Sequence, residues 1–246
     1  SISTKKIMKK ILLTLFAIAL IYPSANSQLT LVSNMNSSPT TSNPDFLYVF
    51  NNKICFTADD GNFGTEVWEY NTSGAIQLNY EVNMTGSSMT SAHFCEYNGK
   101  LYFAGYESVY GTELYEYDGA NAPVRLSDLN PGGANSIPTE MTVFNGKLYF
   151  SAVGPGNDYE FYVYDGINPP TLVADVNPTG NSYCGSFKEF NGKLYFTATS
   201  SGNGSEIFEY DGVNPPALFT DINSGPFNSY PRDLVVYNNK LYFNAD

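Results

Sequence analysis

Apolar residues along this chain come in short runs, most of them four to eight residues long, separated by dipeptides that force turns. One stretch shows the pattern. Met141 to Phe144 is an apolar, β-branched run, Asn145-Gly146 interrupts it, and Lys147 to Ala152 resumes it. Asn-Gly is well suited to a two-residue type I′ hairpin turn, because both central residues need positive φ. A loop carrying Gly154, Pro155 and Gly156 leads to a third run, Glu160 to Tyr164, which Asp165-Gly166 stops. Pro169-Pro170 precedes a fourth, Thr171 to Val176, and Asn177-Pro178-Thr179-Gly180 turns the chain onward. No uncapped apolar stretch at helical spacing exceeds about two turns. The pattern predicts four short antiparallel strands.

This unit repeats through the chain. Asn51-Asn52-Lys53, Asn98-Gly99-Lys100, Asn145-Gly146-Lys147, Asn191-Gly192-Lys193 and Asn238-Asn239-Lys240 start at intervals of 47, 47, 46 and 47 residues. The same step relates Phe56, Phe103, Phe150, Phe196 and Phe243. It also relates Glu66, Glu113, Glu160 and Glu206, and Tyr70, Tyr117, Tyr164 and Tyr210. Four strands in about 47 residues is the size of one β-propeller blade. Blades stack face to face, which suits a strand apolar on both faces, such as Lys100-Leu101-Tyr102-Phe103-Ala104. The expected fold is all-β: a propeller of four-stranded antiparallel blades at 46–92, 93–139, 140–186 and 187–232, with half a fifth at 233–246. Residues 28–45 supply a lone fourth strand and linker, because Thr30 to Asn36 aligns without gaps on Thr171 to Asn177. The chain is expected to be a truncated product of a longer gene. Either five blades close after one more strand, or further blades follow.

The first 27 residues are expected to be a signal peptide. Lys5, Lys6, Lys9 and Lys10 precede an apolar run of 12 residues, Ile11 to Tyr22, too short for a span of about 20. Ala25 and Ser27 sit at −3 and −1 of a cut before Gln28. With those four lysines removed, 24 acidic groups face 8 basic ones, a net charge of −16. A duplex-binding protein needs clustered Lys and Arg to displace counterions, so nucleic acid is excluded, and an anionic membrane surface with it. No membrane insertion is expected after cleavage. Cys55, Cys95 and Cys184 occupy three different places in the repeat, so no disulfide framework is built. Three unpaired small apolar residues is the favoured reading, with a Cys55–Cys95 link as the alternative.

The third strand and its exit, Glu113-Leu114-Tyr115-Glu116-Tyr117-Asp118-Gly119, resemble the bacterial ELW-x-x-DGT repeat family. Glu66 to Tyr70, Glu160 to Gly166 and Glu206 to Gly212 are the other copies. Only Trp68 keeps the Trp, and no copy has Thr after the Gly. The Asn-Gly-Lys-Leu-Tyr-Phe and Asp128-Leu129-Asn130-Pro131-Gly132 pieces are also similar to that family, and the resemblance covers all of 28–246. It implies export, in secreted or surface proteins often of the Bacteroidetes, and a propeller-like array. It brings no activity or catalytic residue to transfer.

Catalytic chemistry is sparse. His93 is the single histidine, so two-histidine metal motifs cannot be built, and no nucleophile elbow or phosphate loop accompanies it. The repeated Glu66, Glu113, Glu160 and Glu206 invite a paired-carboxylate reading, but identical acids in a ring are not a differentiated acid and base. Each is expected instead to accept backbone amides within its own blade. Asp128 with Asn130, Asp175 with Asn177 and Asp221 with Asn223 could offer oxygens to Ca²⁺; the favoured reading is ordinary Asx turn chemistry. Trp68, Tyr115, Tyr162 and Phe208 are expected to pack between blades, leaving Tyr106, Tyr110, Tyr159, Tyr183 and Tyr230 as a candidate binding rim. The expectation is a monomeric, secreted or surface-displayed, non-enzymatic binder of a glycan or a protein. It has no cofactor, metal or catalytic residue, and no ligand residue is fixed. A glycan-active enzyme using acids at the ring's centre and a passive spacer are the alternatives.

Overall fold

The computed structural model describes residues 41–62, 64–73, 76–80 and 93–246. The expected signal peptide at 1–27 and the lone strand at 30–36 lie outside the described residues.

The described residues are all-β. A first sheet runs β1 (Asp45–Phe50), β2 (Lys53–Asp59), β3 (Thr65–Tyr70) and β4 (Ile76–Tyr80) in spatial order. A second runs β5 (Cys95–Tyr97), β6 (Lys100–Glu107), β7 (Gly111–Tyr117) and β8 (Val124–Arg125). A third comprises β9 (Thr139–Phe144), β10 (Lys147–Val153), β11 (Tyr159–Tyr164) and β12 (Thr171–Ala174). A fourth comprises β13 (Gly185–Phe190), β14 (Lys193–Ser200), β15 (Gly204–Tyr210) and β16 (Ala217–Thr220), and β17 (Arg232–Tyr237) pairs with β18 (Lys240–Asn244). Every pairing is antiparallel between sequence neighbours. Four of the first strands (β1, β9, β13 and β17) and the two residues leading into β5 border one cavity, so the first strands are the inner strands of a β-propeller.

The hairpin between first and second strands is set by local chemistry. Asn145 and Gly146 sit at φ 46° and 70°, and Asn238 and Asn239 at 47° and 55°, the doubly left-handed geometry of a type I′ turn. That turn fixes the register on both sides. Phe103 faces Tyr115, Phe150 faces Tyr162 and Phe196 faces Phe208 across strands two and three. These rings stack 6.0 to 6.1 Å apart. The strand-three aromatics pair in this way within their own sheet, because register places a strand-two Phe directly opposite. They also pack against the preceding sheet, as the sequence pattern suggests: Tyr115 clusters with Phe50, Cys55 and Val67, Tyr162 with Tyr102 and Leu114, and Phe208 with Tyr149 and Phe161.

Neighbouring sheets are joined by other repeated groups. The Gly ending each third-strand exit lies on the Asn turn of the preceding sheet. A Cβ on Gly166 would approach Asn98 Nδ2 at 2.9 Å, and one on Gly212 would approach Asn145 Nδ2 at 2.9 Å. With φ near +90° as well, only glycine suits the site. The Tyr117 hydroxyl donates to Glu69 Oε1 at 2.7 Å, and the Tyr97 hydroxyl to the Gly146 carbonyl at 2.8 Å.

The linkers are pinned by an Asn-Ser pair that recurs as Asn135-Ser136, Asn181-Ser182 and Asn228-Ser229. The Asn Oδ1 accepts an amide at the start of the third strand behind it, from Thr112, Tyr159 or Ser205, at 2.8 Å each. The Ser carbonyl accepts from the second strand ahead, Val153 N at 2.7 Å and Thr199 N at 2.7 Å. Each linker thus bonds to the sheet it leaves and the sheet it enters, which holds the inner strands in place around the axis.

Candidate functional site

The inner strands share an irregularity. Register shifts occur between Asp45 and Tyr48 in β1, between Gly185 and Lys188 in β13, and between Arg232 and Val235 in β17, with the same break where β9 meets β10. At each break one non-glycine residue is left-handed: Phe46 at φ 52°, Glu140 at 53°, Ser186 at 52° and Asp233 at 58°. Such a conformation costs of order 1 kcal/mol or more per residue and re-aims the side chain. His93 stands at the same phase of the repeat, immediately before β5.

These five positions line one cavity of about 500 Å³ at the end of the inner strands. Leu47, Phe94, Met141, Phe187 and Leu234, the residues that follow them, also line it, and Tyr48, Thr142 and Lys188 complete the wall. The outer scaffold repeats its residues, whereas this ring carries Phe, His, Glu, Ser and Asp in turn. A strained backbone kept at one phase of the repeat, with a different side chain in each copy, is what a binding site on a repeated scaffold requires.

The polar groups are oriented. Glu140 Oε2 accepts the Ser186 amide at 3.0 Å, which fixes the carboxylate beside the Ser186 side chain. Gly185 permits this approach, since a Cβ there would lie 3.2 Å from Glu140 Cγ. The Phe46 and His93 rings are 5.7 Å apart and inclined at 54°. The site therefore offers two carboxylates, a hydroxyl, an imidazole, an ammonium from Lys188 and the aromatic surfaces of Phe46, Tyr48, Phe94 and Phe187.

A second cavity of about 390 Å³ adjoins, with Glu140 and Ser186 in both walls. Tyr159 and Tyr183 stand on its far side, their ring centroids 5.5 Å apart. Of the five tyrosines expected to form a rim, these two come together. Tyr230 is 54% exposed and held by Asn228 Nδ2 at 2.8 Å, while Tyr110 is covered by the Arg125 guanidinium at 3.6 Å and Tyr106 is half-buried within β6.

The repeated glutamates lie elsewhere. Glu113, Glu160 and Glu206 are buried at the start of third strands, and none lines the axial cavity. Glu113 Oε2 accepts Leu129 N at 2.9 Å and Ser136 Oγ at 2.7 Å; Glu206 Oε2 accepts Ile222 N at 2.9 Å and Ser229 Oγ at 2.7 Å. Glu160 bonds Val176 N at 3.0 Å and the Ser182 hydroxyl. Each carboxylate ties the end of the fourth strand to the linker. Burial pushes the carboxyl pKa of Glu113 and Glu160 upward, with the accepted hydrogen bonds opposing it.

Asn130, Asn177 and Asn223 serve the linkers as well, each donating from Nδ2 to the carbonyl of Asn135, Asn181 or Asn228 at 3.1 to 3.2 Å. Asp221 Oδ2 accepts Gly225 N at 3.2 Å. Among the described residues no three His, Cys, Asp or Glu side chains gather into a metal cluster. Cys55, Cys95 and Cys184 are free thiols, and burial pushes the first two up to about 12 and about 11.

The exits of the third strands form rigid surface turns. Asp118, Asp165 and Asp211 each accept the amides two and three residues on and the side chain of Asn121, Asn168 or Asn214. These bonds hold all three carboxyls down at about 2.

No protein-family profile and no curated protein matches the chain. Solved structures share the fold. A puromycin-hydrolyzing peptidase of Mycobacterium tuberculosis superposes with a TM-score of 0.55 at 13% identity, over 88% of this chain and 38% of its own. A mutant puromycin hydrolase superposes with a TM-score of 0.52 at 13% identity, over 80% of this chain and 32% of its own. The chain thus spans about a third of the length of either structure, and the likeness is one of fold.

The axial ring is the candidate site that the sequence pattern passes over. Its signal is an interruption in the repeat: Phe46, His93, Glu140, Ser186 and Asp233 occupy one column in which no residue recurs, directly before a column that is apolar throughout.

Proposed function

We propose that this protein is a secreted or surface-displayed propeller, built of repeats like those of the ELW-x-x-DGT family, that binds a glycan in its axial cavity without turning it over. One observation carries the reading. Five equivalent positions, four of them left-handed, present five different side chains to a single cavity of about 500 Å³. A concave site of that size suits a small, hydroxyl-rich group, since a stable protein interface occupies roughly 800 Å² on each partner. Aromatic rings offer the apolar faces of a sugar a surface, and Glu140 and Asp233 accept its hydroxyls. The chain's acidity disfavours a polyanionic ligand.

Glycoside hydrolysis is the second reading, because two carboxylates, Glu140 and Asp233, share the cavity. Binding is preferred because one oxygen of Glu140 is already engaged by the Ser186 amide. Screening residues 28–246 on a glycan array and on chromogenic glycosides separates the readings. Retention without release of chromophore supports binding, turnover supports the enzyme, and neither on any sugar refutes the glycan assignment.

A further inference from the structure

Resting on the glycan reading of the axial cavity, we infer that the site is longer than one sugar: an oligosaccharide runs outward from the axis, past Glu140 and Ser186, onto a tyrosine subsite formed by Tyr159 and Tyr183. Continuity is the first support. Glu140 and Ser186 belong to the walls of both the axial cavity and the adjoining one of about 390 Å³, so a ligand leaving the first passes directly into the second.

The second support is how the tyrosines are held. Asn181, in the linker between the third and fourth sheets, accepts the Tyr159 amide on Oδ1 at 2.8 Å and donates from Nδ2 to the Tyr183 hydroxyl at 3.1 Å. One side chain therefore fixes both residues. Tyr183 is also held left-handed at φ 46° and remains 60% exposed. The linker imposes that conformation on Ile137 and Tyr230 too, at φ 42° and 45°, so what points to a ligand here is a large aromatic presented to solvent beside the cavity. Two tyrosines 5.5 Å apart and inclined at 31° provide a platform on which a sugar ring can lie.

Comparison among the linkers isolates the feature. The next linker clamps Tyr230 through Asn228 in the same way, at 2.8 Å, but its partner position is Ser205. The preceding linker has Ile137 and Thr112 at the two places. Among the described residues, the paired platform occurs only beside Glu140 and Ser186. The subsite thus lies on one side of the axis, and it gives the ligand a direction.

The test measures affinity by calorimetry for gluco-, xylo-, manno- and galacto-oligosaccharides of one to six sugars. Wild type is compared with Tyr183→Ala and with Ile167→Ala, a remote control at a position 86% exposed. Melting curves first establish that both variants are folded. The inference expects affinity to rise with length in at least one series. Tyr183→Ala should remove about five- to tenfold from the longer members while leaving the single sugar unchanged. Affinity independent of length, a gain that survives Tyr183→Ala, or an equal loss for short and long members would overturn the subsite and leave the axial reading standing. No binding of any series by wild type would overturn both.

Discussion

Replacing Glu113 separates a structural staple from a functional acid. Its buried carboxylate accepts Leu129 N at 2.9 Å and Ser136 Oγ at 2.7 Å. A net hydrogen bond to a charged group contributes about 1.5 to 3 kcal/mol, so Glu113→Ala forfeits about 3 to 6 kcal/mol and leaves two donors without an acceptor. Burial of the charge, which raises the Glu113 pKa, offsets part of this, and about 3 to 4 kcal/mol is expected. Glu113→Gln keeps one oxygen facing the donors but sets an amide NH₂ where Glu113 Oε1 is buried without a partner, and should cost about 1 to 2 kcal/mol. At roughly 2 to 4 °C per kcal/mol for a domain of this size, the Ala variant should melt about 6 to 16 °C below wild type. Urea unfolding with an unchanged slope, and thermal melts, measure both variants. Ligand affinity at the axial cavity should not move in either. An Ala variant that melts with wild type, or one that keeps its stability and loses binding, would refute the staple.

Stability should pass through a maximum near pH 4 to 5. Asp118, Asp165 and Asp211 are held at about 2 against an ordinary 3.8, so their contribution is present above the ordinary value and lost as pH falls toward 2. Glu113 and Glu160 are raised above an ordinary 4.5, so the folded state holds those protons more tightly and their contribution is lost as pH rises through the raised values. Melting temperatures from pH 2.5 to 8 check this, and a maximum above pH 7 would contradict it. Gly204→Ala, at φ +67° with a Cβ driven onto the Phe227 carbonyl, should lower the melting temperature more than Gly99→Ala, which is at +71° in open space. Equal effects would show that the linker contact is slack. Phe103→Ala, at 0% exposure, should cost about 3 to 5 kcal/mol in urea unfolding, whereas Ile167→Ala should be silent.

The architecture was legible because its determinants recur. Asn145-Gly146 and its four equivalents dictate a turn by local sterics, and the Phe103–Tyr115 type of pair follows once the turn has fixed the register. The Glu113 series also announced itself as structural by being identical in every unit. What sets the axial site leaves no such mark. The bulge at Phe46, Glu140, Ser186 and Asp233 carries a different side chain in each copy, so no residue type signals it. His93 could be placed ahead of a first strand but not at an axis. Tyr159 and Tyr183 were recognisable as lying outside the repeated pattern. Only the Asn181 clamp, spanning the linker and the third strand, brings them together.

The most direct measurement of the central claim is a calorimetric titration of wild type and the Glu140→Gln/Asp233→Asn double variant with the tightest-binding oligosaccharide from the array. Both substitutions keep side-chain shape and lie on the cavity wall, and Glu140→Gln keeps an oxygen that can still accept the Ser186 amide. The account predicts an unchanged melting temperature and at least a tenfold loss of affinity. A double variant that binds as well as wild type would contradict it, because the ligand would then lie elsewhere on the propeller.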